Sequence, residues 1–380
     1  MATADLLPKG KGCLRRFTQG GCSLVERKQV RVASPGLILI VLISVLALFP
    51  LSAAAQKAPD SKPGSPYKID IYTFQVGTST YAFGVALAQF INAQSTWLKA
   101  TALEIPSATT VARMIIEEPA ERKKIIGFLP VDDVYAGYPP FDKYKPPYDD
   151  ILNIAAYGSN FNAWVTLDPK IKTLTDFSGK TLGFGTLPSA ARVDTPRDTL
   201  LASGVTTIKV AQYDFTGGVR ALKDGLIQGL LVSGFISDVK TKKHIPNPAF
   251  AELLSTAKVY FISYKEGVYV NVSIKQKRRK AEYVVPPGGM SPMQTEPWRV
   301  AGYPIGWSCD RAMPDQVVYE FTRIMAENIH RFGDFHITGK VLNRELMAKF
   351  GFPREKMHSG AVKYYDEKGL AGGIGKIWID

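Results

Sequence analysis

From Tyr67 to about residue 370 the chain switches again and again between two hydrophobic periods, and this alternation limits its fold more than any other feature. Residues 69–74 alternate apolar and polar positions with β-forming side chains, which reads as a strand. Phe83, Ala86, Leu87, Phe90 and Ile91 then recur at helical spacing, with Thr78 or Ser79 placed to cap that helix. Residues 125–129 and 151–156 are short buried-strand candidates. A second cycle starts near Phe161, with strands at 163–167 and 181–184. A helix opens at Thr195-Pro196 and is closed by Gly204; another covers 218–225 before a strand at 226–232. A helix from Asp315 to Ile329 places Val317, Val318, Phe321, Ile324, Met325 and Ile329 on one face. Strands alternating with helices predict an α/β protein with largely parallel sheets.

What precedes Tyr67 bears on location. Residues 37–51 form an almost unbroken apolar run after Arg27, Lys28 and Arg31, and Ala53 and Ala55 follow it. A basic flank, a short apolar core and an Ala-x-Ala ending make the pattern of a secretory signal. A spanning helix wants about 20 residues, and Pro50 interrupts this run. Residues 1–55 are therefore a signal peptide or, alternatively, an N-terminal membrane anchor. In both cases the basic flank stays in the cytoplasm and the body is exported to the periplasm, with tethering to the inner membrane through 37–51 in the second case. No cysteine follows the apolar core, so a lipoprotein anchor is not supported. Residues 56–66 are a Pro-rich linker.

Composition narrows the function. The 380 residues, 46% hydrophobic and 21% charged, suffice for two ordinary lobes once the N-terminal segment is set aside. Net charge is +13, of which residues 1–55 supply +5, leaving the body a moderate excess that suits a small anion. No stacking-plus-basic motif supports nucleic acid as a partner. The run 275–280 carries five Lys/Arg, a pattern that usually marks a solvated face or loop. Cys309 is alone in the body and the four histidines are scattered, so neither a disulfide nor a Cys/His metal site is implied, and no cofactor is expected. No nucleophile elbow, Cys/His pair or phosphate loop points to an enzyme.

Several stretches, in order, resemble the TAXI-type solute receptors of TRAP transporters. Residues 77–84 resemble that family's glycine-rich segment before the first helix, and 127–138 its G-x-V-Q-x-D-x-A-Y stretch. Residues 171–185 are similar to its I-K-S-L-x-D-L-x-G-K segment, 221–234 to its A-L-x-D-G motif and following S-G, and 358–365 to its closing H-P-G-A-x-x-Y-Y. The departures are Thr80 for the first of a Tyr pair, Ala82 for a Pro, Pro130 for a Gln, Arg113 for a small residue, and a loop 185–192 short of glycines. Pro196 stands where the family's helix already runs. The resemblance implies a bilobal periplasmic-binding-protein (type 2) fold, two α/β lobes joined by hinge strands. Lobe one is 67–160 with 300–380; lobe two is 161–299. It also implies capture of a small carboxylate or amino acid and delivery to integral membrane TRAP permease subunits.

Two loops before helices are the pocket candidates, because free N–H groups at a helix start favour an anion. Thr78, Ser79, Thr80 and Tyr81 would line it from one lobe. Ser189, Ala190 and Ala191 would supply backbone donors from the other, with Arg192 as counter-ion. Simple capping is the competing role for Ser79 and Ser189. Arg113 is either a carboxylate fork or part of a solvated helix face. Ser233 and Gly234 end a strand, where open α/β sheets hold ligands. Phe215, Trp164 and Tyr213 read as core or wall, and His358 as a docked C-terminal turn. A membrane-anchored sensor and an exported enzyme on the same fold are the alternative functions.

Overall fold

The computed structural model describes residues 66–373, except 75, 77, 106, 130–133, 135–136, 138–140, 187–188, 239–242, 279–280 and 350–352. The signal or anchor, nearly all of the linker and much of 127–138 lie outside the described residues. Eleven strands form one sheet: Tyr67–Thr73 (β1), Leu98–Glu104 (β2), Ile125–Gly127 (β3), Ile151–Thr166 (β4), Thr181–Phe184 (β5), Lys209–Gln212 (β6), Gly229–Asp238 (β7), Lys243–Pro246 (β8), Tyr260–Ile262 (β9), Ala281–Val285 (β10) and Trp298–Asp310 (β11). The helices are Ser79–Gln94 (α1), Ala108–Glu117 (α2), Thr195–Ala202 (α3), Phe215–Lys223 (α4), Pro248–Thr256 (α5), Val268–Lys275 (α6), Asp315–Asn328 (α7), Arg344–Lys349 (α8) and Ser359–Glu367 (α9).

The sheet runs β2-β1-β3-β11-β4-β7-β5-β6, with β10 on β11, β8 on β7 and β9 on β4. Pairing is parallel only toward its two ends, β1 with β2 and β3, and β5 with β6 and β7. The centre is antiparallel, β11 against β3 and β4, and β4 against β7. The expectation of largely parallel sheets is corrected here. The βαβ crossovers that parallel pairing needs build the two ends, whereas β4 and β11 pass between them in opposite directions.

The stretches 151–156 and 163–167, which the sequence presents as separate strands, are one 16-residue strand, almost wholly buried on both faces. This strand belongs to two cores. Up to Tyr157 it packs into a core with Ile71, Phe83, Leu87, Trp307, Phe321 and Tyr365. From Phe161 onward its pleat sends alternate side chains to two clusters, Phe161 and Val165 with Phe250 and Trp298, and Trp164 with Phe177, Phe184 and Tyr269. Along β11 the same change falls between Ala301 and Tyr303. The molecule is thus a bilobal α/β fold whose lobes share crossing strands.

Where the strands cross, the backbone is irregular. Gly158 adopts φ +141° opposite Ile305, and the β4–β11 register shifts between Ile305 and Gly306. A Cβ on Gly306 would lie 2.3 Å from the Ala155 carbonyl oxygen, so no side chain fits without parting the two strands.

The helices follow the sequence closely. Thr78 caps α1, its Oγ1 accepting from the Tyr81 backbone N–H at 3.2 Å, and the expected apolar face is buried. Pro196 is accommodated because residues Ala190–Asp194 form a π-helical turn and the α-helix proper begins at Thr195. The basic run 275–280 departs from expectation at Arg278, which is 4% exposed and donates to the Thr195 hydroxyl and, at 2.7 Å, to Gln276 Oε1. His358 is fully buried and caps α9, Nδ1 accepting from the Gly360 N–H at 3.2 Å. Burial pushes its pKa below the ordinary 6.5, against the opposing pull of Asp315 at 3.8 Å.

Two outcomes follow for stability. Gly306→Ala should destabilise the protein by about 1–3 kcal/mol, read as a lower denaturation midpoint in urea. Below pH 6.5 the unfolded chain takes up a proton that folded His358 refuses, so this contribution is complete above pH 6.5 and is lost as pH falls toward the depressed folded value. His358→Asn, which keeps a capping acceptor but does not titrate, should flatten the urea-midpoint profile between pH 6.5 and 5.

Candidate functional site

A cavity of about 440 Å³ opens where the two cores meet. Its floor is one row of residues across four neighbouring strands: Ile245 on β8, Phe235 on β7, Asn160 on β4 and Tyr303 on β11 are successive Cα partners, and all four line the cavity. Asn160 Nδ2 lies 3.4 Å from the Tyr303 hydroxyl. The crossing strands therefore supply the base, and each lobe supplies a wall.

The walls are built from helix starts. From the first lobe come Thr78, Ser79 and Thr80 at the beginning of α1, and Ser107, Ala108 and Thr109 at that of α2. The second lobe adds Ser189 just before the π turn that precedes α3, with Ala191 and Arg192 in that turn, Asp214, Phe215 and Thr216 at α4, and Asn247, Pro248 and Ala249 at α5. The other four starts carry side-chain caps as well: Ser107 Oγ accepts from Thr109 N at 3.1 Å, Ser189 Oγ from Arg192 N at 3.3 Å, Asp214 Oδ1 from Gly217 N at 2.6 Å, and Asn247 Oδ1 from Phe250 N at 2.8 Å. A cap uses one N–H of a first turn and leaves others to whatever occupies the cavity. Five positive dipole ends around one space favour an anion there.

Arg192 stands among them. The residue keeps some exposure, but its Nε is shut off from solvent without a hydrogen-bond partner among the described residues. Its Cζ sits 4.0 Å from the centre of the Phe215 ring. Burial pushes the guanidinium pKa below its ordinary value, with Tyr303 and Asp214 pulling the other way. Gly185 makes this pose possible: a Cβ there would lie 2.7 Å from Arg192 Cβ and 2.9 Å from both Cζ and Nε. The turn is tied down by Asn162, whose Nδ2 donates to the Ala191 carbonyl at 2.7 Å and whose Oδ1 accepts from the Ser233 hydroxyl at 2.7 Å. On the opposite wall His336 Nδ1 accepts from the Thr338 N–H at 3.2 Å, and burial holds its pKa below 6.5, so it is neutral at pH 7.

Thr78, Ser79, Thr80, Ser189, Ala191, Arg192, Ser233 and Gly234 all border the cavity. Ser233 does so with its hydroxyl already given to Asn162, and Gly234 with its backbone, since a Cβ there would meet the Phe161 ring at 2.2 Å. Ala190 opens the π turn; its side chain lies outside the described residues. Two candidates stand elsewhere. Tyr81 is half-buried on α1 beyond the cavity lining, because its helical position turns it away from the first-turn residues before it. Arg113 is on an exposed helix face, its guanidinium 3.3 Å from Glu117 four residues on. Of the aromatic residues, Phe215 is wall, whereas Trp164 is fully buried in the core.

Phe74, Phe128, Asn160, Tyr303, Ser107, Asp214 and Asn247 line the cavity without having been singled out by the sequence patterns. Asn247-Pro248 carries a visible helix-start signal, a capping side chain before a first-turn proline. Phe74 and Phe128 each follow the last residue of a strand and their rings pack at 4.9 Å. Among the described residues no cluster of three or more His, Cys, Asp or Glu could hold a metal ion, and no helix is long and apolar enough to cross a membrane.

Two α/β lobes, crossing strands and a cleft between them define a protein of the periplasmic-binding-protein fold class. Residues 71–369 match the model of the NMT1-like family, and the chain belongs to that family. No curated protein matches it. Solved structures similar to it include a R. palustris protein with adipate (12% identity, 80% of this chain and 96% of that one, TM-score 0.47). MatC from Rhodopseudomonas palustris with bound malate gives 11%, 80%, 96% and 0.45, and the periplasmic aliphatic sulphonate binding protein from Escherichia coli 14%, 82%, 90% and 0.41. Likenesses so distant do not say what this chain binds.

A guanidinium with its Nε buried and unpaired should cost folding energy. Arg192→Met gives up a cation–π contact worth about 0.5–2 kcal/mol but removes a buried charge whose desolvation costs several kcal/mol. The ligand-free variant is therefore expected to melt at the same temperature as the parent or higher, measured by differential scanning calorimetry.

Proposed function

We propose that the protein is an exported receptor that captures a small anionic solute between its lobes and delivers it to a TRAP-type membrane permease. One observation carries this reading: the Arg192 guanidinium, its Nε shut off from solvent and lacking a partner among the described residues, stands among five helix starts drawn from both lobes. A positive site of that kind is unfavourable empty and favourable when an anion fills it. The TAXI-type pattern of 77–84, 171–185, 221–234 and 358–365 supports the choice of permease. The run 37–51 and its basic flank support export.

In this reading residues 67–160 with 300–380 are lobe one and 161–299 lobe two. The solute rests on the row Phe235, Asn160 and Tyr303, accepts from first-turn N–H groups and the hydroxyls of Thr78, Ser79 and Thr80, and pairs with Arg192. Because its contacts come from both lobes, it is bound more tightly when they approach, and that difference in affinity shifts the population toward a closed form. Bending is confined to the irregular crossing at Gly158 and Gly306. The permease distinguishes the closed shape from the open one.

The test is a thermal-shift screen of residues 56–380 against carboxylates, amino acids and sulfonates, with calorimetry on hits. A solute at about a hundred times its Kd adds about 2.7 kcal/mol of stability. The expected result is a saturable anion, recovered chemically unchanged, whose affinity falls about 10–100-fold in Arg192→Met, as loss of a charge-assisted contact implies. Conversion of the hit into product would support the enzymatic alternative, and anion binding that Arg192→Met leaves intact would displace the proposed site.

A further inference from the structure

We infer that the solute is a monoanion with an apolar body, an aliphatic or aromatic carboxylate or sulfonate, in preference to a dicarboxylate or an α-amino acid. This rests on the receptor reading above and concerns the same cavity. The walls are unequal in chemistry. Arg192 is the one lining residue charged positively at neutral pH among the described residues, His336 being held neutral by burial. Asp214 is the one lining carboxylate among them, and it is exposed, with Oδ1 committed to the first turn of α4 at 2.6 Å.

Much of the remaining surface is apolar. Phe74 and Phe128 stand side by side because β1 and β3 pair in parallel, Tyr72 against Gly127, and each ring follows its strand's end. Phe235 and Ile245 extend the apolar surface along the floor, and Pro246 and Pro248 continue it at the entry to α5. A single anionic head can therefore be met by the guanidinium and the helix starts while its tail removes apolar surface from water. A second carboxylate would lose its hydration against aromatic rings, with no second cation among the described lining residues to receive it. An ammonium group would have only a solvated, already hydrogen-bonded Asp214 to turn to.

Three probes of one chain length separate these classes: hexanoate, adipate and norleucine, titrated by calorimetry into residues 56–380 at pH 7.5. Hexanoate is expected to bind about tenfold or more tightly than either of the others. Phe128→Ala should weaken hexanoate by about tenfold while changing acetate much less, a split that general damage to the fold would not produce. Adipate or norleucine binding as well as hexanoate overturns the inference and leaves the anion receptor standing. The inference also falls, and the receptor again stands, if none of the three binds and the anion found in the broad screen is a multiply charged or wholly polar one. Failure of every anion would remove the receptor reading itself.

Discussion

Everything in this molecule hangs on the antiparallel pairing of β4 with β11. Both strands run through the two cores, and their side chains change allegiance within a few residues, at Tyr157 to Phe161 on one and Ala301 to Tyr303 on the other. A strand pair is stiff along its length and compliant in twist. Placing Gly158 and the shifted register at Gly306 in that interval concentrates the compliance at the floor of the cavity. The same hydrogen-bond ladder thus joins the lobes and aligns Phe235, Asn160 and Tyr303 in one row.

The chemistry of the cavity follows from where helices begin. In each βα unit the chain leaves the sheet at a strand end and starts a helix, so strand ends and helix starts accumulate on the same side of each lobe. Two such sides face each other across the crossing strands. The gathering of helix starts around the cavity is therefore largely a product of topology, to which Arg192 adds a cation. Asn162 connects the two levels, holding the turn that carries Arg192 and the strand that carries Ser233 through its two amide atoms.

Local features are legible in the sequence and long-range ones are not. The apolar face of α7 and the capping role of Thr78 depend on residues within one or two turns, and they stand where the periodicity puts them. The continuity of β4 is hidden because Gly158-Ser159-Asn160 has the composition of a turn, and only burial on both sides keeps it extended. β2 is equally hard to see, since Lys99, Thr101 and Glu104 dilute its pattern at the edge of the sheet. Among the site residues, the helix-start logic that selects Thr78 and Ser189 applies equally to Ser107, Asp214 and Asn247. Which helix starts meet in space is decided by the crossover order, which no local pattern encodes. Arg113 and Arg192 show what a closer reading offers: Glu117 four residues after Arg113 marks a paired surface cation, whereas Arg192 has no acid at helical spacing that reaches its guanidinium.

Gly185 has a consequence for how such a protein diverges. It stands outside the cavity lining and carries no functional group, yet the folded-back pose of Arg192 exists only because this position has no side chain. An alanine there would evict the guanidinium while leaving the arginine in place. A descendant could in this way withdraw the cation from the cavity wall through a single methyl group, with every polar residue of the pocket unchanged, and a comparison of pocket residues alone would miss the change.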